Sequence, residues 1–122
     1  MITRQQVTEW LDELKTAWEG RDPERALKLF KDTRYYYERP FHAGTTQAEY
    51  REYWVGIANT YDIRFDYDIV AIDGQTACVH WGNWFRESPS GTLEHLDGVF
   101  VIVFNESGAC DKFSQWWFQE KT

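Results

Sequence analysis

Cysteine is scarce in this chain, with two residues in 122, and the scarcity limits what the sequence can be. Cys78 and Cys110 lie far apart and form no CxxC pair. A disulfide framework and a cysteine-rich zinc site are therefore excluded as organising features. The three histidines are scattered without ligand spacing, so we expect no metal and no cofactor.

Positively charged residues are also few. Thirteen Lys and Arg residues face twenty Asp and Glu residues, for a net charge of −7. Nucleic-acid-binding proteins usually carry a basic patch, so we expect no nucleic-acid partner. The N-terminal MITRQQVTEW lacks the apolar stretch of a secretion signal, and no apolar run is long enough to cross a membrane. These absences predict a cytoplasmic protein.

Aromatic residues, in contrast, are abundant. They make up 18% of the chain and include seven Trp, which is more bulk than a minimal core needs. The length is typical of one domain. We therefore predict a single domain over residues 1–122, with part of its aromatic surface lining a cavity or an interface.

The first half of the sequence predicts three helices. Apolar residues recur every three or four positions over Thr3–Glu19, and Thr3 with Gln6 fits a capping box. Pro23 fits the first position of a second, short helix, and Thr45-Thr46 fits the cap of a third with an aromatic inner side. A short aromatic strand ending at Pro40 separates the second and third helices.

The second half predicts long antiparallel strands. Residues alternate between apolar and polar from Asp62 to Ile69, which is typical of a strand with one wet face. Further strands are predicted over Gln75–Glu87, Leu93–Asn105 and Ala109–Gln119, separated by turn residues such as Asp73-Gly74. Helices followed by such a meander indicate an α+β protein.

This order of elements resembles the SnoaL-like proteins of the nuclear transport factor 2-like superfamily. The resemblance covers almost the whole chain. It is carried by the segments Trp18–Asp22, Leu29-Phe30, Glu38–Phe41, Tyr50–Trp54 and Asp97–Phe100. It implies a cystatin-like cone, in which three N-terminal helices pack into a strongly curved mixed or antiparallel sheet. The family contains isomerases, cyclases, dehydratases, epoxide hydrolases and non-catalytic binders, so it implies architecture better than function.

The catalytic positions implied by this resemblance do not carry the usual residues. Alignment with ketosteroid isomerase-like members places their tyrosine, base and acid at Leu14, Arg39 and Phe100, and none of these can do the same chemistry. The Asp-Arg-Asp relay of the epoxide hydrolases falls near Trp81, Asn83 and Gln115. A shift of one residue in the alignment of a strand moves each aligned position to the opposite face of the sheet, so these placements depend on the exact register.

Three residues are the candidates for acid-base chemistry. His80 is the first, because imidazole suits proton transfer near neutral pH and one alignment places it inside the cone. Asp97 and Glu38 are its candidate assistants. Each also has a plainer interpretation. His80 is then a histidine on the outer face, Asp97 makes a structural hydrogen bond, and Glu38 forms a surface ion pair with Arg39.

A mainly aromatic pocket for a small hydrophobic molecule is predicted between helices and sheet. Gln115, with Asn83 as a weaker partner, is a candidate to hydrogen-bond the ligand. The other predicted ligand-binding residues are Trp18, Tyr37, Arg39, Phe41, Trp54, Trp84, Phe100, Phe113 and Trp117. The alternative is that these rings simply fill the cone.

Two functions from different classes follow. One is an isomerase, cyclase, dehydratase or hydrolase that acts on a hydrophobic substrate. The other is a non-catalytic module that binds a small molecule or a partner. In either case we expect a homodimer through the outer sheet face, with Val79, Trp81 and Val101 as the candidate contact residues.

Overall fold

Polar side chains begin each of the three α-helices. Thr3 and Gln6 form the predicted capping box at the start of α1 (Arg4–Glu19). The Asp22 side chain accepts from the backbone of Arg25, and Pro23 opens α2 (Pro23–Lys28). The predicted caps of the first two helices are therefore confirmed. Thr46 likewise accepts from the backbone of Glu49 and caps α3 (Gln47–Val55).

The computed structural model describes residues 1–121, so Thr122, the last position of the predicted domain, lies outside the described residues. The three helices are not consecutive, because the short strand β1 (Tyr35–Tyr37) separates α2 from α3. A 3-10 helix, Gly56–Asn59, extends α3. Four long strands follow: β2 (Thr60–Asp73), β3 (Thr76–Glu87), β4 (Leu93–Phe104) and β5 (Cys110–Lys121).

The five strands form one curved mixed sheet in the order β1-β5-β4-β3-β2. The edge strand β1 runs parallel to β5, and the other neighbours are antiparallel. Gly74, Gly91 and Gly108 have φ values of 60°, 75° and 85° in the three hairpin connections, where a side chain would be strained. Register shifts interrupt β2 twice, and such irregularities bend a strand.

The helices cover one face of the sheet, which we call the inner face, and leave the other, the outer face, exposed. On β2 the predicted alternation is confirmed, because Phe65 and Ile69 are buried while Asp66 and Asp68 are exposed. The inner residues of the other strands follow from the register. They include Ala77, Val79, Trp81, Asn83, Phe100, Ile102, Phe104, Phe113 and Gln115, all of them buried.

The proposed contact residues of a dimer need correction. Val79 and Trp81 were predicted on the outer face, but both point inward and are 0% and 1% exposed. The reason is the parity of β3, in which odd-numbered residues face the helices. Val101 is half-buried on the outer face. Within residues 1–121, no helix combines the length and the apolar character that crossing a membrane requires.

Candidate functional site

A cavity of about 320 Å³ lies between the inner face and the helices. This volume is at the small end of the range for small-molecule sites. Aromatic and aliphatic side chains make most of its wall. The lining residues are Leu14, Trp18, Tyr36, Glu38, Tyr53, Trp54, Gly56, Ile57, Thr60, Trp81, Asn83, Phe85, Glu87, Leu96, Phe100, Phe113, Gln115, Trp117 and Gln119.

Stacked rings form the wall on the sheet side. The Trp81 ring stacks on Phe100 with centroids 5.0 Å apart, and Phe65 continues the stack at 6.1 Å from Trp81. On the helix side, Trp18 contacts Trp54 edge to face at 5.3 Å. These contacts fix the rings in a buried, rigid arrangement, so the cavity presents flat apolar surfaces to a ligand.

Gly98 on β4 makes room for the Trp81 ring. A Cβ atom at Gly98 would lie 2.8 Å from Cζ2 of Trp81 and 2.4 Å from the backbone oxygen of Trp116. Both distances are too short for a side chain, so only glycine allows β4, β5 and the indole to approach this closely.

Glu38 is the candidate acid-base group of the cavity. It follows β1, is half-buried, and lines the cavity among aromatic rings. Its carboxyl group forms no hydrogen bond or ion pair of its own with the described residues. Burial raises the pKa of Glu38 from 4.5 to about 7, although the nearby Arg39 acts in the opposite direction. At neutral pH the carboxyl group is therefore present in both protonation states.

The loop that carries Glu38 is held at both ends. Tyr36 and Gly44 exchange two backbone hydrogen bonds of 2.9 and 2.8 Å, which close the loop. Nε2 of Gln115 donates to the backbone oxygen of Glu38 at 2.9 Å. Gln115 thereby fixes the backbone beside the carboxyl group, and its predicted hydrogen bond to a ligand stays a prediction.

Two phenols lie close to Glu38. The Tyr36 and Tyr53 rings have centroids 4.9 Å apart, and both line the cavity. Burial is the main cause that raises the pKa of each phenol, and the negative charge of Glu38 raises it further. Both hydroxyls are therefore neutral at physiological pH and able to donate hydrogen bonds.

Two polar groups on the inner face of β3 lack hydrogen-bond partners. Asn83 is fully buried, and its Nδ2 donates to the backbone oxygen of Arg64 at 3.0 Å, but its Oδ1 accepts nothing. Nε1 of Trp81, two residues earlier on the same face, donates to nothing. Unpaired buried polar groups are uncommon and call for an explanation.

The structure brings six of the ten predicted ligand-binding residues to the cavity. These are Trp18, Trp54, Phe100, Phe113, Gln115 and Trp117. The aligned positions Leu14 and Phe100 also lie there, whereas Arg39 is exposed and its neighbour Glu38 occupies the cavity instead.

The alignment that places His80 inside the cone is wrong, and the plainer interpretation, a histidine on the outer face, agrees with the structure. His80 and Asp97 lie on the outer face, with side chains 54% and 59% exposed. Nε2 of His80 is 3.0 and 3.2 Å from the two carboxylate oxygens of Asp97. Asp97, a candidate assistant of His80, thus lies beside it, but the sheet separates the two residues from the cavity.

The remaining predicted ligand residues also lie outside the cavity. Trp84 stacks on His95 at 4.5 Å on the outer face, with the Arg64 guanidinium 4.3 Å from its ring centroid. Phe41 is 92% exposed, and Tyr37 lies with it in a shallow outer depression. Arg39 is exposed beside Glu38.

Sequence reasoning missed Tyr36, Tyr53 and Trp81 as cavity residues. Tyr36 is the middle of three consecutive tyrosines, and Tyr37 was chosen in its place. Tyr53 carries a usable signal, because it lies on the aromatic side of the third predicted helix. Across residues 1–121, no three side chains of His, Cys, Asp or Glu gather closely enough to bind a metal ion.

A curved mixed sheet whose inner face and helices enclose an apolar cavity defines the cone-shaped class of α+β proteins. The family profile of the SnoaL-like domain matches residues 7–111. The chain therefore belongs to the SnoaL-like family of the nuclear transport factor 2-like superfamily.

Solved structures share this fold over nearly the full chain. SalBIII, described as an epoxide hydrolase/cyclase-like enzyme in pyran ring formation in the polyether salinomycin, matches with a TM-score of 0.83, 16% identity and 100% coverage of both chains. The Δ5-3-ketosteroid isomerase from Mycobacterium sp. matches with a TM-score of 0.73 and 15% identity, covering 96% of this chain and 98% of its own.

A computationally designed 17-OHP binder is also similar, with a TM-score of 0.72, 13% identity, and coverage of 96% of this chain and 98% of that one. The sequence has no significant match among curated proteins. At these identities the likenesses establish the fold alone, since one fold supports many activities.

Proposed function

We propose that the chain is an enzyme that moves a proton on a small, flat, hydrophobic substrate bound in the aromatic cavity, with Glu38 as general acid-base group. The reaction class is isomerisation, cyclisation or dehydration. One observation carries the proposal: the half-buried Glu38 carboxyl group lies in the cavity among aromatic rings, without a hydrogen-bond or ion-pair partner in the described residues.

The chemistry of the site supports this role. A general base works best when its pKa lies near the working pH, and burial brings the pKa of Glu38 to about 7. When the carboxylate takes a proton from carbon, negative charge develops on the substrate. The neutral phenols of Tyr36 and Tyr53, which line the cavity with Glu38, are our candidate donors to stabilise that charge.

The test uses 5-nitrobenzisoxazole, a flat bicyclic compound whose ring opening reports an active base. The carboxylate takes the proton from the ring carbon, the N–O bond breaks, and a coloured cyanophenolate is released. We expect the rate to rise with pH through an apparent pKa of about 7 and then level off. Glu38→Gln should lower the rate about 100-fold or more, the usual contribution of a general base.

Glu52, an exposed glutamate of α3, provides the matched control. Glu52→Gln changes the same charge outside the cavity and should leave the rate unchanged. Glu38→Asp keeps the carboxyl group and should retain part of the activity. Equal rates for the native protein and Glu38→Gln would remove Glu38 from its proposed role.

The alternative is a non-catalytic binding module. It is favoured by the composition of the wall, because among the described residues that line the cavity there is no histidine, lysine or cysteine, and Glu38 and Glu87 are the only carboxyl groups. Calorimetric binding of the same benzisoxazole without turnover at any pH would select this alternative.

A homodimer through the outer face also remains a proposal. Its contact residues now differ from those predicted, because Val79 and Trp81 point inward. Trp116 and Phe118, 47% and 82% exposed, support the outer face of β5 as the contact surface together with Val101. Sedimentation at micromolar concentration should give a dimer mass, and Phe118→Ser should shift the mass toward the monomer. A monomeric native protein would contradict this proposal.

A further inference from the structure

Asn83 and Trp81 are a pair of inner residues on β3 that each keep one buried polar atom without a hydrogen-bond partner. Both residues line the cavity, and they are 0% and 1% exposed. Oδ1 of Asn83 accepts no hydrogen bond and Nε1 of Trp81 donates none. One acceptor and one donor are therefore left without partners on the same wall.

The local structure keeps this pair in place. The two residues are separated by two positions on β3, so their side chains leave the same face of the strand about 7 Å apart. Nδ2 of Asn83 donates to the backbone oxygen of Arg64, which fixes the amide with Oδ1 as the remaining acceptor. The Trp81 ring cannot turn freely, because it is stacked on Phe100 and passes over Gly98.

We propose that Asn83 and Trp81 recognise a hydroxyl group of the ligand, which donates to Oδ1 of Asn83 and accepts from Nε1 of Trp81. The inference rests on the proposed function and narrows its substrate class to flat, mainly apolar molecules that carry a phenol, enol or alcohol. A hydroxyl satisfies both groups at once because it is donor and acceptor.

Other polar groups fit this pair less well. A carboxylate would face Oδ1 of Asn83 with negative charge, and no Lys or Arg lines the described cavity to balance it. An ammonium group has no lone pair to accept from Nε1 of Trp81. A ketone or ether accepts from Trp81 but leaves Asn83 without a donor.

The pair lies away from Glu38. In the sheet order β1-β5-β4-β3-β2, Glu38 follows the edge strand β1, and Asn83 is on β3, three positions across. A ligand held by its hydroxyl at β3 therefore extends its ring system across the stacked aromatic wall toward the carboxyl group. The proposed hydroxyl contact sets orientation, and the proton transfer takes place at the other side.

Three bicyclic probes separate the two hydrogen bonds in calorimetric titrations. Naphthalene makes neither bond, 2-methoxynaphthalene can only accept from Trp81, and 2-naphthol can make both. We expect the affinity to increase in that order, with 2-naphthol binding about tenfold or more tighter than naphthalene, because burying an unpaired polar group is costly.

Two variants assign the bonds. Asn83→Leu is similar in shape and should abolish the preference for 2-naphthol over 2-methoxynaphthalene. Trp81→Phe keeps an aromatic ring and should abolish the preference for 2-methoxynaphthalene over naphthalene. It also provides a second measurement if Asn83→Leu does not fold. The matched control is Asn59→Leu, at an exposed asparagine outside the cavity lining, which should preserve both preferences.

The outcomes distinguish this inference from the proposed function. Equal affinities for the three probes in the native protein overturn hydroxyl recognition but leave an apolar ligand cavity with Glu38. The preference for 2-naphthol over 2-methoxynaphthalene is the second criterion. If Glu38→Gln loses this preference and Asn83→Leu keeps it, hydroxyl recognition by Asn83 is overturned as well, since the hydroxyl then binds Glu38. If none of the probes binds, both this inference and the ligand cavity it rests on are wrong.

Discussion

The two faces of the same sheet differ in how their polar groups are paired. On the outer face, His80 pairs with Asp97, and Arg64 contacts both Asp66 and the Trp84 ring, although Nε2 of His95 is buried without a partner. On the inner face, Oδ1 of Asn83 has none, and the Glu38 carboxyl group lies among apolar rings. Successive residues of one strand point to opposite faces and thus lie in different polar environments.

This difference separates structural polar groups from functional ones. An exposed ion pair costs little and contributes little, because water can replace either partner. A buried polar group without a partner destabilises the folded chain. Such groups are enriched at functional sites, and the unpartnered polar atoms of Asn83 and Glu38 therefore favour the inner face in our proposal. The following predictions test that contrast.

The largest effect is expected for Glu38, through the dependence of stability on pH. A carboxyl group whose pKa is raised from 4.5 to about 7 binds its proton more tightly in the folded chain. The folded state therefore loses stability as pH rises through that window, and the penalty persists above it. Glu38→Gln should raise the free energy of unfolding at pH 8 by up to about 3 kcal/mol.

Urea denaturation at pH 5 and pH 8 measures this effect. The gain from Glu38→Gln should be small at pH 5 and near its maximum at pH 8. Glu52→Gln, the exposed control, should change stability by less than about 0.5 kcal/mol at both pH values. A pH-independent gain in Glu38→Gln would show that the carboxyl group is not desolvated in the folded chain.

A smaller effect on stability is expected when alanine replaces the glycine that lies against a tryptophan ring on either face of the sheet. A Cβ atom at Gly98 would lie 2.4 Å from the Trp116 backbone oxygen, so strands would have to move. At Gly82 on the outer face, the nearest atom is Cη2 of Trp84, at 2.8 Å on the far end of a side chain. Gly98→Ala should cost about 2 kcal/mol and Gly82→Ala less than about 1 kcal/mol.

Thermal and urea unfolding of the two alanine variants compare these costs directly. Gly98→Ala should also weaken the binding of 2-naphthol, because it displaces the Trp81 ring, whereas Gly82→Ala should leave the affinity unchanged. Equal destabilisation by the two substitutions would mean that the outer face is packed as rigidly as the inner one.

Local chemistry allowed the fold to be predicted from the sequence. Thr3 and Gln6 mark the first helix by a hydrogen-bonding pattern that needs no tertiary context. On β2, charged residues alternate with apolar ones, so the pattern itself indicates which face is wet. These features depend on neighbours in the chain, and the structure bears them out.

The site depends on strand parity, which the sequence leaves ambiguous in β3. The run Trp81-Gly82-Asn83-Trp84-Phe85 places a polar residue on the inner face and a tryptophan on the outer one. Trp84 is tolerated outside because His95 and Arg64 cover its ring. These covering residues come from β4 and β2, so only the paired sheet reveals which face each side chain takes.

The smallest effect is expected for His80, the leading candidate from the sequence. His80 and Asp97 form an exposed pair, and such pairs contribute less than about 1 kcal/mol. His80→Gln keeps a polar side chain of similar size and should change the free energy of unfolding by less than about 0.5 kcal/mol. It should also leave the pH-rate profile of benzisoxazole opening unchanged, because the sheet separates His80 from the cavity. A lowered rate with unaltered stability would show that the outer face takes part in the chemistry, and the division between the two faces would then have to be abandoned.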